Sequence, residues 1–401
     1  MSEGVVIVGG GQAGLEAATA LRTQGYQDSV TVVCGEAYAP YQRPPLSKEF
    51  LTGKQQAENL PLRAAAYYEK HNVALVVGDP VTRIDREAKQ VYLAKGGVLD
   101  YAHLILAVGA RNRPLPVKGA EFALHLRTLD EAVNLRRRIA EARSVVVIGG
   151  GFIGLEVAAA ARGFGKTVTV IEAAPRLMER AVSPLLSDFF LAVHRGQGTE
   201  VVLNAAVTEV HPGRVVLNDG ANIAADLVVA GIGVIPNLEL ARDAGLAVGN
   251  GILVDEFLRT SDPNIFAIGD CADHPNRFMN ALAGGQTRLE SVQNAVDQAK
   301  CVARAIQGNP SPYRDVPWFW TDQFDIRFQM VGLAAGHDEH VVRGSIENRK
   351  FSAFYFKEGR LVAVDSVNRF GDHVAARKLL GTGTPLTPAQ AADETVDLKK
   401  L

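Results

Sequence analysis

The chain has 401 residues, of which 47% are hydrophobic and 21% are charged, and its net charge is −2. This length is too great for one ordinary core, so two or three domains of a globular protein are expected. A nearly neutral chain is not drawn to nucleic acid in general, and no apolar run approaches the length that spans a bilayer. We therefore expect neither a nucleic-acid partner nor a membrane segment.

The N-terminal segment and the cysteines indicate the compartment. The segment MSEGVVIVGGG has no basic region before its apolar run, which indicates part of the fold rather than a signal peptide. Cys34, Cys271 and Cys301 are far apart and show neither CxxC nor metal-ligand spacing. This usage fits a reducing compartment. We therefore expect a cytoplasmic protein without a metal site.

Two stretches of the chain are nearly identical, GVVIVGGGQAGLEAATAL from Gly4 to Leu21 and SVVVIGGGFIGLEVAAAA from Ser144 to Ala161. Each predicts a strand, a G-x-G-x-x-G turn and a helix, the pattern of a dinucleotide-binding turn. One glycine makes the turn, one lets the backbone approach a pyrophosphate, and one allows close packing of helix on strand. The candidate glycines are Gly9, Gly11 and Gly14 in the first stretch and Gly149, Gly151 and Gly154 in the second.

An acidic residue follows each turn by about 20 residues, at the end of a second strand. Glu36 comes after VTVVCG, and Glu172 comes directly after TVTVI. A carboxylate at this position can hold a ribose hydroxyl group. The alternative is two glycine-rich turns in unrelated strand-helix units. The complete context of strand, turn, helix and acid favours two dinucleotide sites in one chain.

The loop from Ala37 to Gly53 follows the first of these sites. Its Pro44-Pro45 pair excludes a helix interior and stiffens the backbone around two cations, Arg43 and Lys48. Two cations in a loop are more often only solvated, so their position alone assigns no function.

Two apolar runs, Val73 to Gly78 and His103 to Ala110, predict strands of a buried sheet. The composition changes after the second run, where arginines and prolines mark a domain crossing near Pro114. A similar apolar strand, ADLVVAGIGVIPN, also ends in glycines and closes a second unit at Asn237.

Asp270 follows another apolar strand, in the segment SDPNIFAIGDCAD, and a helix is predicted from about Glu290 to Gln307. A carboxylate just beyond a strand of an α/β sheet lies where a ligand crevice opens, although an ordinary turn aspartate is the alternative. From about Pro312 the composition changes to clustered aromatics and alternating runs. These predict antiparallel strands in a smaller C-terminal domain with two helices.

Several motifs together resemble one protein family. They are the paired glycine turns, RPPLSK at Arg43 to Lys48, LRTLDEA at Leu126 to Ala132, GDCA at Gly269 to Ala272, ESVQNA at Glu290 to Ala295 and WFWTDQ at Trp318 to Gln323. Over essentially its whole length the chain resembles the FAD-dependent ferredoxin reductases, the NADH-oxidising partners of cytochrome P450 and aromatic-ring dioxygenase systems. The stretch from Asn276 to Arg288 departs from the family pattern by being a few residues longer.

The resemblance implies an α/β fold with two Rossmann-like dinucleotide-binding domains of glutathione-reductase type and a C-terminal α+β domain. The FAD domain would be discontinuous, with residues 1–114 and 238–312, and the NAD domain of residues 115–237 would be inserted into it. Residues 313–401 would form the C-terminal domain, at the flavin. The protein would be a monomer or a weak dimer.

The resemblance also implies roles for single residues. The first turn would hold the FAD pyrophosphate, with Ala13 against it, and Glu36 would bind the adenosine ribose. The other FAD contacts would be Arg43, Lys48, Val81, Arg127, Asp270, Val292 and Trp320. The NAD site would comprise Gly149, Gly151, Ile153, Gly154, Glu156, Glu172, Arg180 and Gly233. The catalytic residues would be Lys48 near flavin N5, Glu156, and Trp320 beside the isoalloxazine, although without the resemblance Trp320 would be assigned as a core aromatic.

The implied reaction is hydride transfer from NADH to FAD, followed by single-electron transfer to a [2Fe-2S] ferredoxin that feeds a cytochrome P450 or a ring-hydroxylating dioxygenase. A rubredoxin or monodehydroascorbate-type reductase would share the cofactors, and a redox-sensing flavoprotein would share the fold. A disulfide reductase of this fold would need a redox-active cysteine pair in the first domain, and a peroxidase-type NADH oxidase would need one cysteine in the loop from Gln42 to Ser47. Neither feature is present in the sequence. Catalysis is therefore expected not to use cysteine.

Three further expectations concern charge. Glu172 would repel a 2′-phosphate, so NADH should be preferred over NADPH, although Arg176 and Arg180 could accommodate that phosphate. Lys48 and Glu156 should pair at the nicotinamide-flavin junction, the alternative being that Glu156 only favours its helix N-terminus. Between Val341 and Leu380, eight cations face four acids. This surplus predicts ferredoxin docking near the C-terminal domain, with an ordinary solvated face as the alternative.

Overall fold

The computed structural model describes residues 4–279 and 284–401. In that part of the chain, two five-stranded parallel sheets flanked by helices are followed by a five-stranded antiparallel sheet. The predicted class of two Rossmann-like domains and a C-terminal α+β domain is thereby confirmed. No described helix is both long enough and apolar enough to cross a bilayer.

Strand-helix units build the cores of the two parallel sheets, and runs of successive strands make up much of the remaining chain. In the described residues the strands are β1 (Val5–Val8), β2 (Val30–Cys34), β3 (Val73–Val77), β4 (Val81–Asp85), β5 (Gln90–Leu93), β6 (Val98–Asp100), β7 (His103–Leu106), β8 (Ala110–Asn112), β9 (Ala123–Leu124), β10 (Ser144–Ile148), β11 (Thr167–Ile171), β12 (Glu200–Val202), β13 (Val207–His211), β14 (Gly213–Leu217), β15 (Asn222–Ala225), β16 (Leu227–Ala230), β17 (Val234–Pro236), β18 (Ile252–Leu253), β19 (Ile265–Ala267), β20 (Ala272–Pro275), β21 (Gln286–Thr287), β22 (Trp318–Gln323), β23 (Ile326–Gly332), β24 (Glu339–Ser345), β25 (Lys350–Lys357) and β26 (Arg360–Val367). The α-helices of the same residues are α1 (Gln12–Thr23), α2 (Ala65–Lys70), α3 (Leu129–Glu141), α4 (Phe152–Gly163), α5 (Pro184–Gly196), α6 (Glu239–Asp243), α7 (Val292–Ile306), α8 (Phe370–Thr382) and α9 (Pro388–Ala392).

The first sheet has the strand order β19-β7-β1-β2-β3, and its strands are parallel. The central strand β1 is buried along its length, as expected for an apolar run covered on both faces. The last strand, β3, lies at the edge, and Val77 is 39% exposed. The expectation of a buried strand from Val73 to Gly78 was therefore wrong. An edge strand has a neighbour on one side only, and the order of the strands decides which strand that is.

The second sheet repeats this arrangement in the order β12-β11-β10-β16-β9. A short antiparallel ribbon of β8 and β17 joins the segment that follows the first sheet to the segment that follows the second. Chain segments on both sides of the second unit therefore contribute to the first sheet, since β19 pairs with β7. The exact domain limits given above stay predictions.

The third sheet has the order β22-β23-β26-β25-β24 and is antiparallel throughout. Its edge strand β22 alternates, as strand geometry requires. The ring of Trp318 faces α8, where it contacts His373, whereas Phe319 contacts Phe152 of α4 on the other side. This strand thus lies between the C-terminal helix and the second unit.

Three local details bear on the sequence expectations, and one of them, the length of the last helix, differs from what the sequence predicts. The proline pair begins a short 3-10 helix, Pro44–Ser47, since proline is tolerated at the first helical positions. The last predicted helix, from Pro388 to Leu398, is shorter than expected and ends at Ala392. Of the long stretch from Asn276 to Arg288, residues 280–283 lie outside the described residues.

Candidate functional site

The two glycine turns have the same geometry. Gly9 and Gly149 have φ of 120° and 103°, which side chains rarely adopt. A Cβ at Gly14 or Gly154 would collide with the carbonyl oxygen of Gly9 or Gly149, respectively, so helix and turn pack as closely as the pattern predicts. The turns are therefore built with glycine where space and backbone angle demand it.

The middle glycines, Gly11 and Gly151, face open space, because no atom lies within 4 Å of a Cβ placed there. Each is the N-cap residue of its helix, and neither helix start has a side-chain cap. The first amides of α1 and α4 are consequently available to an anion, and the helix dipole favours negative charge there. The residues present fit a dinucleotide pyrophosphate at each turn.

The acids behind the two turns have different surroundings. Glu36 accepts a hydrogen bond from the hydroxyl of Tyr41 at 2.6 Å and forms an ion pair with Arg43. Glu172 accepts hydrogen bonds from two backbone amides, those of Gly150 at 2.6 Å and Ala174 at 2.8 Å. The backbone therefore fixes the Glu172 carboxylate, whereas a side-chain network holds Glu36.

The arginines near Glu172 differ in availability. The guanidinium of Arg176 donates to the carbonyl oxygens of Val182 and Glu179 and to the hydroxyl of Ser187. Arg180 is exposed, and its Nη2 atom lies 3.6 Å from the Cβ position of Gly233. Only the second of these two arginines is free to meet a ligand without breaking internal hydrogen bonds.

The first unit has a matching arrangement at the end of β7. Gly109, with φ of 64°, lies beneath Arg127, whose Nη2 is 3.7 Å from the Cβ position of that glycine. The same Nη2 pairs with Asp270 Oδ2 at 2.7 Å, and the carbonyl oxygen of Arg127 accepts a hydrogen bond from Arg43. The structure thus brings Arg43, Arg127 and Asp270, predicted on one cofactor, into one connected group.

Lys48 and Glu156 are in contact. Lys48 Nζ lies 2.8 Å from Glu156 Oε1, and their side chains are 11% and 1% exposed. Oε1 also accepts from the hydroxyl of Thr321 at 2.5 Å, and Oε2 accepts from the hydroxyl of Ser47. The expected proximity is observed, with the carboxylate buried at a point where the loop after the first turn, the helix of the second turn and the C-terminal sheet meet. A buried carboxylate requires such compensation.

Trp320 is half-buried on β22, and its ring centre is 5.6 Å from that of Trp318. The guanidinium carbon of Arg377 lies 4.8 Å above the ring of Trp318, on the side facing α8. These three side chains therefore form a row from the strand to the exposed side of α8. Burial raises the pKa of Asp322, the next strand residue on the same side, and the charges of Arg327 and, to a smaller extent, Lys48 oppose that rise.

The remaining predicted residues lie at the ends of elements. Ala13 is buried near Gly269, the residue before Asp270, and Val81 begins β4. Val292 is the first residue of α7, whose N-cap Ser291 accepts from Asn294, and Ile153 is 45% exposed in the first turn of α4. Their roles toward a cofactor stay predictions, as do those of the other site residues.

Sequence reasoning missed the hydroxyls of Ser47 and Thr321 on Glu156 and that of Tyr41 on Glu36. The only available signal was their position beside assigned residues, since Ser47 precedes Lys48 and Thr321 follows Trp320.

The cysteines are buried and uncrosslinked. Burial raises the pKa of Cys34, Cys271 and Cys301 to about 11 each. The thiolate is the reactive form, so these thiols are poor nucleophiles at neutral pH.

The eight cations counted between Val341 and Leu380 differ in exposure and in whether they pair with an acid. Arg343 is only 5% exposed, and Arg349, Lys357 and Arg369 pair with acids. Exposed cations for which no acidic partner is found in the described residues are Lys350, Arg360, Arg377 and Lys378. The basic face is thus smaller than the sequence count indicated.

Comparison with known proteins assigns both parts of the chain. Residues 3–299 match the family described as pyridine nucleotide-disulphide oxidoreductase, and residues 318–401 match the reductase C-terminal domain. Rhodocoxin reductase of Rhodococcus erythropolis is 52% identical over 98% of this chain and 93% of its own length. Putidaredoxin reductase CamA of Pseudomonas putida is 42% identical over 100% of this chain and 97% of its own length.

Solved structures agree with these relatives. The ferredoxin reductase for the CYP199A2 system of Rhodopseudomonas palustris is 46% identical, covers 99% of both chains and superposes with a TM-score of 0.96. The reductase of the covalent putidaredoxin reductase-putidaredoxin complex is 41% identical, with coverage of 99% of this chain and 97% of its own and a TM-score of 0.95. The chain therefore belongs to the pyridine nucleotide-disulphide oxidoreductase family and, within it, to the ferredoxin reductases.

Proposed function

We propose that this protein is an FAD-dependent enzyme that passes electrons from NADH to a [2Fe-2S] ferredoxin, which serves a cytochrome P450 or a ring-hydroxylating dioxygenase. One observation carries the proposal. The chain has two turns that fit dinucleotides, and Lys48 from beyond the first turn contacts Glu156 beyond the second, where no thiol is present. Electrons that arrive at such a junction have no internal disulfide to reduce, so an external acceptor must take them.

FAD, when bound, supplies the centre that accepts a hydride from NADH and releases single electrons. The side chains at the junction bind and position. Lys48 places a positive charge there, and Glu156 holds its ammonium group at 2.8 Å. Glu36, Arg43, Arg127 and Asp270 form the group that would hold FAD, and Glu172 and Arg180 would bind the NADH ribose region.

The experiment that tests this proposal is steady-state turnover of the FAD-loaded protein with NADH and a [2Fe-2S] ferredoxin, coupled to cytochrome c reduction. Ferricyanide reduction without ferredoxin measures the flavin half of the reaction alone. We expect rapid turnover with both acceptors. Rapid ferricyanide reduction with no reduction of any [2Fe-2S] ferredoxin would contradict the assigned acceptor, and a long-lived reduced complex that passes no electrons would identify a sensor instead.

A rubredoxin is the second candidate acceptor. The rubredoxin-NAD(+) reductase of Pseudomonas putida is 42% identical over 91% of this chain, the same identity as putidaredoxin reductase. Turnover with a rubredoxin in place of the ferredoxin distinguishes the two, and the ratio of kcat/KM values identifies the natural class.

We propose that the ferredoxin docks beside α8. Arg377 and Lys378 are exposed there, and Arg377 contacts Trp318, which neighbours Trp320. An acidic partner would be steered to these cations, and a transient electron-transfer encounter needs steering more than buried area. We also propose that the protein is cytoplasmic, which its cysteine usage favours, and that it is a monomer or a weak dimer.

A further inference from the structure

Glu156 is the end of a buried polar chain that extends away from the junction. Thr321 donates its hydroxyl to Glu156 Oε1 at 2.5 Å, and Gln323 Nε2 lies 3.3 Å from the same hydroxyl oxygen. Gln323 Oε1 lies 2.9 Å from His194 Nε2. Thr321, Gln323 and His194 are each 0% exposed. Four side chains are thus connected without solvent access at three of them.

The carboxylate of Glu156 fixes the donor and the acceptor of every hydrogen bond in this series of side chains. A carboxylate only accepts, so the proton of Thr321 is directed to Glu156. The oxygen of Thr321 must then accept from Gln323, which turns the amide NH2 toward the threonine and the amide oxygen toward His194. His194 must therefore carry its proton on Nε2.

The surroundings of His194 agree with that tautomer. Its Nδ1 atom is buried and has no partner among the described residues, as suits a nitrogen without a proton. Burial lowers the pKa of His194, an effect that the hydrogen bond to Gln323 opposes. The ring of Phe324 packs against it with centres 5.0 Å apart. A neutral ring with one donor toward Gln323 is the form that this pocket accepts.

The chain also joins separate parts of the fold. His194 lies near the end of α5 and Glu156 in α4, both helices of the second unit, whereas Thr321 and Gln323 lie on β22 of the C-terminal sheet. Ser47 and Lys48 approach the same carboxylate from the loop of the first unit. The orientation of one carboxylate is thereby set from three sides.

We propose that His194 and Gln323 are positioning residues, which act through Thr321 to hold the Glu156 carboxylate, and with it Lys48, in the geometry used for flavin reduction by NADH. This inference rests on the proposed function, which supplies the reaction. Gln323 of β22 and His194 of α5 thereby receive a role, although neither contacts Lys48 or a residue predicted to bind a cofactor.

Two matched pairs of variants test the proposal in stopped-flow reduction of the FAD-loaded protein by NADH. Thr321→Val keeps the side-chain volume and loses the donor, whereas Thr321→Ser keeps the donor. His194→Leu loses the donor to Gln323, whereas His194→Gln can offer an amide N–H near the position of Nε2. We expect the limiting reduction rate to fall roughly tenfold in Thr321→Val, which loses a hydrogen bond to a charged group, and roughly fivefold in His194→Leu, which loses a hydrogen bond between neutral groups. The Ser and Gln variants should stay within about twofold of wild type, and the apparent Kd for NADH should change little in all four.

Wild-type rates in Thr321→Val and His194→Leu would overturn the proposal, as would equal losses in the conservative and disruptive members of each pair. FAD content and Tm identify a variant that does not fold. The threonine pair changes few atoms, so it decides the question if His194→Leu fails to fold.

A second measurement does not depend on turnover. Protein labelled with 15N-histidine carries nine labelled rings, and the ring signals that disappear in His194→Gln are those of His194. We expect these signals to be those of a neutral ring protonated at Nε2. An Nδ1-protonated or charged His194 at neutral pH would overturn the proposal. Failure to reduce any ferredoxin would instead count against the proposed function alone, because flavin reduction and the histidine tautomer would still be measurable.

Discussion

Glu156 is a carboxylate with 1% side-chain exposure that receives one ammonium group and two hydroxyls. A surface ion pair contributes about 0–1 kcal/mol to folding stability. A buried pair differs, because both charges have lost their water, and a charge left without its partner stays buried and unhydrated. Removing one partner of a buried pair costs about 3–5 kcal/mol in proteins generally, since the other charge stays uncompensated. The chemistry at the junction should therefore be sensitive to Lys48 itself.

Lys48→Ala should slow flavin reduction by NADH at least roughly tenfold, because the ammonium group at the junction is lost and Glu156 is left without its cation. Stopped-flow absorbance of the FAD-loaded protein measures the rate, and FAD content after gel filtration measures cofactor retention. Lys54→Ala is the matched control, since Lys54 is an exposed lysine directly after that loop. An unchanged reduction rate in Lys48→Ala would show that the ion pair has no part in the reaction.

NADH should be preferred over NADPH by at least roughly tenfold in kcat/KM, since a 2′-phosphate would approach the carboxylate of Glu172. The structure sharpens this expectation, because Arg176 is engaged by internal acceptors and only Arg180 is free. Arg180→Ala should therefore reduce the residual NADPH activity, whereas Arg176→Ala should leave the coenzyme ratio unchanged. A ratio near one in wild type, or one that favours NADPH, would refute the assignment of Glu172.

At the scale of elements, β22 shows what alternation along a strand achieves. Trp318, Trp320 and Asp322 share the side that α8 covers in part, while Phe319, Thr321 and Gln323 face the second unit. One strand thus presents aromatic rings toward the predicted docking side and polar groups toward Glu156. If both proposals hold, electron exit beside Trp320 and positioning of Glu156 by Thr321 use opposite sides of one strand.

Helix α8 carries the docking prediction. Charge reversal by Arg377→Glu with Lys378→Glu should raise the KM for ferredoxin several-fold and leave NADH-ferricyanide turnover intact, because only the encounter with an acidic partner is weakened. Added salt should raise the KM of wild type, since exposed charges are screened beyond roughly 8 Å at physiological ionic strength. Lys89→Glu is the control, as Lys89 is an exposed cation of the turn between β4 and β5 in the first unit. Ferredoxin reduction indifferent to salt and to both reversals would exclude this face.

The sequence predicted the strands and helices well. It predicted some of their tertiary contacts and missed others. Gly9, Gly14 and their repeats could be assigned because their constraint is local, in the backbone angle and in a helix-strand contact within a few residues. The exposure of β3 could not be predicted, because it depends on the order of the strands in the sheet. The sequence also could not predict how few of the counted cations remain without an acidic partner. Arg349 pairs with Asp325 and Arg369 with Glu394, and both acids lie outside the segment whose charges were counted.

The candidate site shows the same division. The Lys48–Glu156 contact was accessible once the family resemblance supplied the arrangement of domains. The hydroxyl of Thr321 and the ring of His194 were not, because a donor becomes part of a site only when tertiary packing places it on a buried acceptor.

At the scale of the whole molecule, a second buried group joins the second unit to the C-terminal sheet. Asp365 accepts from the hydroxyl of Tyr355 at 2.9 Å, and that hydroxyl lies 2.8 Å from Ser183 Oγ. Burial raises the pKa of Asp365 from 3.8 to about 7, an effect that the bond from Tyr355 opposes. The folded protein therefore binds a proton there that the unfolded chain releases at much lower pH.

The contribution of Asp365 to stability should be fully present below about pH 4 and should be lost as pH rises through about 7, because a raised folded-state pKa favours folding only while the proton is bound. The loss amounts to about 4 kcal/mol at most, from roughly three pH units at 1.36 kcal/mol each. Asp365→Asn should flatten the pH dependence of Tm between pH 5 and 8 and stabilise the protein most at pH 8. Parallel Tm curves for the variant and wild type would contradict this assignment.

The buried thiols have a practical consequence. Because Cys34, Cys271 and Cys301 are shielded and remain protonated at neutral pH, maleimide or methanethiosulfonate reagents should leave them unmodified. A cysteine introduced at an exposed position of α8 outside the proposed docking pair, such as Val374, would then be the single point of attachment for a spin label, with the native sequence otherwise intact. Pulsed electron paramagnetic resonance between that label and the reduced iron-sulfur cluster of a bound ferredoxin would measure the geometry of the encounter directly.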